Sequence, residues 1–70
     1  MAKGTVSWFN RTIGAGFIRT DDGKIALFLK NVIRDADASS MQPGSRVCVD
    51  ALDGQHGLTA TKVWAVEDDR

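Results

Sequence analysis

The chain has 70 residues, which is the length of one small domain. Its nine basic and nine acidic side chains give no formal net charge. A lone cysteine, Cys48, excludes an intramolecular disulfide, and no leader or long apolar run predicts secretion or a membrane span. We therefore expect a cytoplasmic protein without a membrane partner, built as one domain over residues 1–70, with its core in residues 3–66 and an acidic tail at 67–70.

The chain contains five strand-like runs, and the second and third are joined by the turn signal Asp21-Asp22-Gly23. Residues 30–44 hold no clean strand and at most one helical turn. Short strands separated by Gly-rich turns predict an all-β barrel or sandwich. The five runs are GTVSWF (4–9), AGFIRT (15–20), IALFL (25–29), SRVCVDAL (45–52) and LTATKVWAV (58–66).

Alternation along these runs predicts which side chains point inward, because successive residues of a strand face opposite sides. Trp64 is expected in the core or as a cap at the barrel end. The predicted core consists of Val6, Ile18, Leu27, Leu29, Ile33, Met41, Val47, Val49, Ala60 and Val63.

Two phenylalanines fall outside this core, each beside a cation on its own strand face: Phe17 with Arg19, and Phe28 with Lys30. A hairpin would set them side by side as a surface on which nucleobases stack, at roughly 1–3 kcal/mol per base. A packed cross-strand pair of phenylalanines is the competing interpretation, and alternation alone leaves both open.

Trp8 is ambiguous in a different way. Strict alternation places Trp8 with Val6 on the core face, and Phe9 with Ser7 on the other. A bulge in the first strand would be needed to turn Trp8 outward.

The net charge of zero hides an uneven distribution. Residues 3–34 contain six basic and two acidic side chains, whereas residues 35–70 contain three and seven. An anionic ligand would meet the first half of the chain. Scatter among solvated side chains is the alternative.

The residues with catalytic or metal-binding chemistry form no recognisable set. His56 lies in a Gly-rich turn without a second ligand at metal spacing, and Cys48 has no histidine nearby in sequence. Asp21 and Asp22 are turn formers before they are an acid–base pair. We expect no enzyme activity, no metal and no cofactor.

Several motifs follow one another in a specific order: GTVSWFN at 4–10, GAGFI at 14–18, DDG at 21–23, LFLK at 27–30, PGSRV at 43–47 and GLTATKV at 57–63. In order and spacing they resemble the bacterial cold-shock domain. The resemblance implies a five-stranded antiparallel Greek-key barrel of the oligonucleotide-binding (OB) type. It also implies binding of single-stranded DNA or RNA on the first three strands, by proteins that act as RNA chaperones or regulate transcription or translation.

The resemblance places Trp8, Phe17 and Phe28 on the binding face, which turns Trp8 outward against strict alternation. Phosphate contacts are expected from Arg11, Arg19 and Lys30. The full predicted site is Trp8, Phe9, Phe17 and Phe28 with the basic Arg11, Arg19, Lys30 and His56.

The chain also departs from the family pattern. Ala15 stands where an aromatic residue is usual, while Lys30 and Asn31 match a stacking histidine and another aromatic residue. Fewer rings predict a weaker or differently selective binder. The alternative function is protein association or self-association through an apolar patch of Phe28, Ile13 and Ile25. We expect a monomer rather than a dimer.

Overall fold

The computed structural model describes residues 2–55 and 57–66, which form a closed five-stranded barrel. Within these ranges no helix has the length and apolar character needed to span a bilayer. The strands are β1 (Ala2–Asn10), β2 (Ala15–Thr20), β3 (Ile25–Leu29), β4 (Arg46–Gly54) and β5 (Gly57–Ala65). The predicted all-β Greek-key barrel is confirmed.

The strand order around the barrel is β1-β2-β3-β5-β4, and β4 closes it by pairing with β1. Four of the five pairings are antiparallel. The short contact between β3 and β5 is parallel, a difference from the wholly antiparallel barrel that was expected.

The connection from β3 to β4 contains two 3-10 segments, Lys30–Val32 and Asp35–Ser40, where the sequence predicted one helical turn at most. The second segment is fixed to the barrel by Asp37. Its carboxylate accepts hydrogen bonds from the Ala65 backbone N–H (3.0 Å) and from Arg34 Nε (2.8 Å). This connection is therefore attached to the end of β5.

All members of the predicted core are buried except the two on β3, and Cys48 of β4 is buried in addition. On β3 the buried residues are Ala26 and Phe28, whereas Leu27 and Leu29 are exposed. The assignment of Leu27 and Leu29 to the core was wrong. The buried cluster consists of Val6, Ile18, Phe28, Ile33, Met41, Val47, Val49, Ala60 and Val63.

Glycine at position 16 explains which side of β3 points inward. Phe9, Gly16 and Phe28 are opposite one another on β1, β2 and β3. A Cβ on Gly16 would lie 2.7 Å from the Phe28 ring. The ring therefore fits at this position because residue 16 has no side chain. The rings of Phe9 and Phe28 stack across it, with centroids 5.3 Å apart and planes 21° apart.

Candidate nucleic-acid interface

The outer surface of β1, β2 and β3 presents a row of three large apolar side chains. Trp8 is opposite Phe17, and Phe17 is opposite Leu27. Directly opposed residues share one face of a sheet, and here they are 42%, 41% and 39% exposed, respectively. Leu29, in the next row opposite Ala15, is exposed as well. We call Trp8, Phe17, Leu27 and Leu29 the platform.

Trp8 reaches this surface through an irregularity in β1. Val6 is opposite Ile18 and Trp8 is opposite Phe17, so Ser7 has no partner of its own on β2. One extra residue in a strand resets the alternation beyond it. The bulge that an outward Trp8 requires is therefore present, and the strictly alternating assignment of Trp8 to the core was wrong.

The two platform rings are close enough to act as one surface. The centroids of Trp8 and Phe17 are 5.9 Å apart, and their planes are tilted by 34°. Both rings keep about two fifths of their surface in contact with solvent. Because every base has a π-face, such exposed rings can take stacked bases without regard to sequence.

Phe28 does not belong to this surface, and its predicted position on the binding face was wrong. It is 0% exposed and packs on Phe9 inside the barrel. Leu27 takes the place opposite Phe17 that the sequence had assigned to Phe28. Leucines, and not a phenylalanine, therefore occupy the outward positions of β3.

Phe9, Arg11 and Lys30 come together beside the platform, where they line a cavity of about 480 Å³ with Asn31, Ile33, Asp35 and Ser39. Phe9 is half-buried. The Arg11 guanidinium lies 6.0 Å from its ring centroid and donates a 2.9 Å hydrogen bond to the Ser39 backbone oxygen. Arg11 thus covers Phe9 from outside and ties the β1–β2 turn to the second 3-10 segment.

The cations Arg19 and Lys30 lie at opposite ends of the platform. Arg19 is opposite Thr5 and Ile25, one row beyond Phe17, while Lys30 follows Leu29 directly. Both side chains are exposed. An oligonucleotide lying along the platform would therefore meet a positive charge at each end.

The acidic residues near Arg19 are held by other groups. The Arg46 guanidinium donates two hydrogen bonds to Asp21, of 2.8 and 3.0 Å, and these hold the pKa of Asp21 below its ordinary value. The Thr20 hydroxyl donates to Asp22 and lowers the pKa of that carboxyl in the same way. Both carboxylates that follow Arg19 in the chain are therefore hydrogen-bonded to other described groups.

The remaining expectations concern residues away from the platform. His56 and the acidic tail at 67–70 lie outside the described residues. Cys48 is buried in β4, and the described part of the chain contains no group of three or more histidine, cysteine, aspartate or glutamate side chains able to hold a metal ion.

The sequence is similar to a family model and to several known proteins along most of its length. Residues 2–66 match the family model described as the 'Cold-shock' DNA-binding domain. The chain is 35% identical to the major cold shock protein of Streptococcus pyogenes serotype M6 over 63 residues, 90% of this chain and 94% of the relative. It is 36% identical to the major cold shock protein CspA of Pseudomonas aeruginosa over 64 residues, 91% and 93% of the two chains. With the major cold shock protein of Micrococcus luteus it shares 38% over 64 residues, 90% and 96%.

Proposed function

Because the chain belongs to the cold-shock domain family, a family of nucleic-acid-binding proteins, we propose that its platform binds single-stranded DNA or RNA. The observation that carries the proposal is the exposure of two adjacent rings, Trp8 and Phe17. A 70-residue chain buries only about 60% of its unfolded surface, so leaving two of its five aromatic residues outside weakens a small core. Base stacking is a use that requires that exposure.

The platform supports binding of modest affinity. Each stacked base contributes roughly 1–3 kcal/mol, and only Trp8 and Phe17 offer π-faces there. Leu27 and Leu29 add apolar contact area but cannot stack as rings do. Arg19 and Lys30 interact with phosphates, which makes the affinity fall as salt is added.

The biological role that fits this chemistry is that of an RNA chaperone or a regulator of transcription or translation. A protein that binds unpaired strands and not duplexes shifts the equilibrium towards the unpaired state by mass action. Stacking reads π-faces and not base edges, so many sequences are accepted. The proposal takes the active unit to be a monomer in the cytoplasm.

A second candidate function is association with another protein surface. Ile13, Ile25, Leu27 and Leu29 are exposed apolar side chains, and Phe28 no longer contributes to this patch. Ile25, Leu27 and Leu29 share the outer face of β3, and apolar surface grouped in this way marks interaction sites in soluble proteins. This candidate requires no response to nucleic acid.

Fluorescence of Trp8 distinguishes the two functions. In a Trp64→Phe variant Trp8 is the sole tryptophan, and hexathymidine or hexauridine should quench its emission as a base stacks on the indole. Quenching should weaken with added salt, and it should weaken again in a Phe17→Ala background. Unchanged Trp8 emission with either strand, in a folded protein, overturns the nucleic-acid proposal in favour of the protein surface.

A further inference from the structure

Trp64 lies on a part of the barrel that the platform does not use. It is half-buried and is not a member of the core cluster. On β5 it is two residues from Lys62, and both line a cavity of about 550 Å³. The remaining lining residues are Asn31, Val32, Arg34, Asp50, Thr61 and Val63. This volume is in the range of about 300–1,000 Å³ that small-molecule sites occupy.

The cavity combines one ring with two cations. Lys62 is exposed, and Arg34 keeps 48% of its side chain exposed although its Nε donates to Asp37. Asp50, opposite Lys62 on β4, is the one carboxylate among the lining residues. A ligand with a flat ring and an anionic group fits this set, and a nucleotide has both.

The position of the cavity connects it to the platform. Asn31 lines both this cavity and the one formed by Phe9, Arg11 and Lys30. Lys30 and Asn31 follow Leu29 directly in the chain. Asn31 therefore joins the two cavities, and Lys30 separates it in the chain from Leu29 of the platform.

We propose that a single strand leaving the platform past Lys30 continues into this cavity, where a base stacks on Trp64 and Lys62 contacts a phosphate. The proposal rests on the proposed function. Trp64 would add a third ring to a binding surface whose part on β3 consists of leucines. The surface would then have two parts, and only a longer oligonucleotide would reach both. Site sizes of about 4–16 nucleotides are usual for a barrel of this type, which leaves room for both parts.

The two tryptophans allow each part to be observed separately. Trp64→Phe leaves Trp8 as the sole fluorophore on the platform, and Trp8→Phe leaves Trp64 in the cavity. Each variant is titrated with oligothymidines of six and twelve nucleotides. The expected result is quenching of Trp8 by both strands, and quenching of Trp64 by the twelve-nucleotide strand only.

Lys62→Ala provides a second readout. With the twelve-nucleotide strand, the slope of log affinity against log salt should become shallower by about 0.7, the value for one lost phosphate contact on a single strand. The hexamer should show no such change. Lys24→Ala is the matched control, because Lys24 lines a separate cavity with Ala2, Thr20 and Asp22. Its slope should equal that of the parent with the longer strand.

The outcomes separate this inference from the function on which it rests. Quenched Trp8 with silent Trp64, at both strand lengths, overturns the inference and leaves the platform proposal standing. Silence of both tryptophans overturns both. Equal quenching of Trp64 by the two strands contradicts a path that starts on the platform, since the shorter strand would then have reached the cavity directly.

Discussion

The rings of Phe9 and Phe28 stack on each other inside the barrel, across the residue that has no side chain, Gly16. This contact determines which side of β3 faces solvent. With Phe28 inside, Leu27 and Leu29 are outside, and the ring of Phe17 has a leucine as its neighbour. The composition of the candidate binding surface follows from one packing interaction beneath it.

Replacing Phe28 by alanine should therefore lower stability, whereas replacing Leu27 by alanine should lower affinity for the ligand. Phe28→Ala removes a fully buried ring, and such changes cost about 3–5 kcal/mol, which is close to the whole stability of a domain of this size. Leu27→Ala should change the free energy of unfolding by less than about 1 kcal/mol and weaken binding instead. Urea unfolding measures the stability of the two variants, and titration of Trp8 fluorescence measures their binding. The milder Phe28→Leu is used if Phe28→Ala does not fold. A greater loss of stability from Leu27→Ala than from Phe28→Leu would contradict the register of β3.

Phe17→Ala should weaken single-strand binding by roughly 1–3 kcal/mol while leaving stability nearly unchanged, because the ring is on the outer surface. The matched control is Ile25→Ala, which removes an exposed apolar side chain one row away. Titration of Trp8 fluorescence gives the affinities. Equal losses from the two variants would show that apolar area, and not stacking, holds the ligand.

Rings placed at the outward positions of β2 and β3 should strengthen binding. Ala15→Phe, Leu27→Phe and Leu29→Phe each add a π-face beside Trp8 or Phe17, worth up to roughly 1–3 kcal/mol. The salt slope should stay the same, because no phosphate contact is added. Titrations at several salt concentrations measure both quantities. An unchanged affinity in all three folded variants would count against stacking on this face.

Lys30→Ala and Arg19→Ala should each make the salt dependence shallower by about 0.7, as expected when one phosphate contact on a single strand is lost. Both side chains are exposed and lie at the ends of the platform. Replacement by the other cation, Lys30→Arg or Arg19→Lys, should restore most of the slope. A slope that stays at the parent value in both alanine variants would place the phosphates elsewhere.

Acid should destabilise the protein partly through Asp37. The hydrogen bond from the Ala65 N–H, and then the Arg34 guanidinium, hold the pKa of Asp37 below its ordinary value in the folded state. A depressed folded pKa contributes stability that is present above the unfolded pKa of about 3.9, and that is lost as pH falls through the folded value. Asp37→Asn should flatten this part of the profile of unfolding free energy against pH.

The control for this profile is Asp35→Asn, which removes a carboxylate from the same 3-10 segment. It should retain the acid-sensitive slope of the parent. The prediction fails if Asp37→Asn keeps the same slope as Asp35→Asn as the pH falls below about 4.

The barrel itself could be predicted from the sequence because its strand signals are local. Alternating runs, the Asp21-Asp22-Gly23 turn and the ordered family motifs gave all five strands to within a few residues. The parallel contact between β3 and β5 was missed. It joins distant parts of the chain over two residue pairs, and no local pattern encodes it.

The side of β3 that faces outward was within reach of sequence reasoning. Thr20 and Lys24 close the hairpin turn, and counting outward from that pair sets Phe17 opposite Leu27 and Gly16 opposite Phe28. Opposed residues share a face, so an outward Phe17 implies an outward Leu27. Hydrophobicity alone gave the wrong answer because both faces of IALFL are apolar.

The positions of Trp8 and Trp64 could not be predicted from the alternation of residues along single strands. A bulge at Ser7 reverses the alternation of β1, and only the family resemblance indicated it. The cavity around Trp64 brings together residues from the first 3-10 segment, β4 and β5. Their proximity depends on how the barrel closes, which the sequence of any one strand does not reveal.

Amide chemical-shift mapping with hexathymidine tests the central claim most directly, because it reports every position of the barrel at once. We predict that the largest shifts occur at Trp8, Phe17, Leu27, Leu29 and Lys30, together with the Trp8 indole N–H. The amides of β4, which carries no platform residue, should change little. Shifts confined to β4, or no shifts at all in a folded protein, would contradict binding of single strands by the platform.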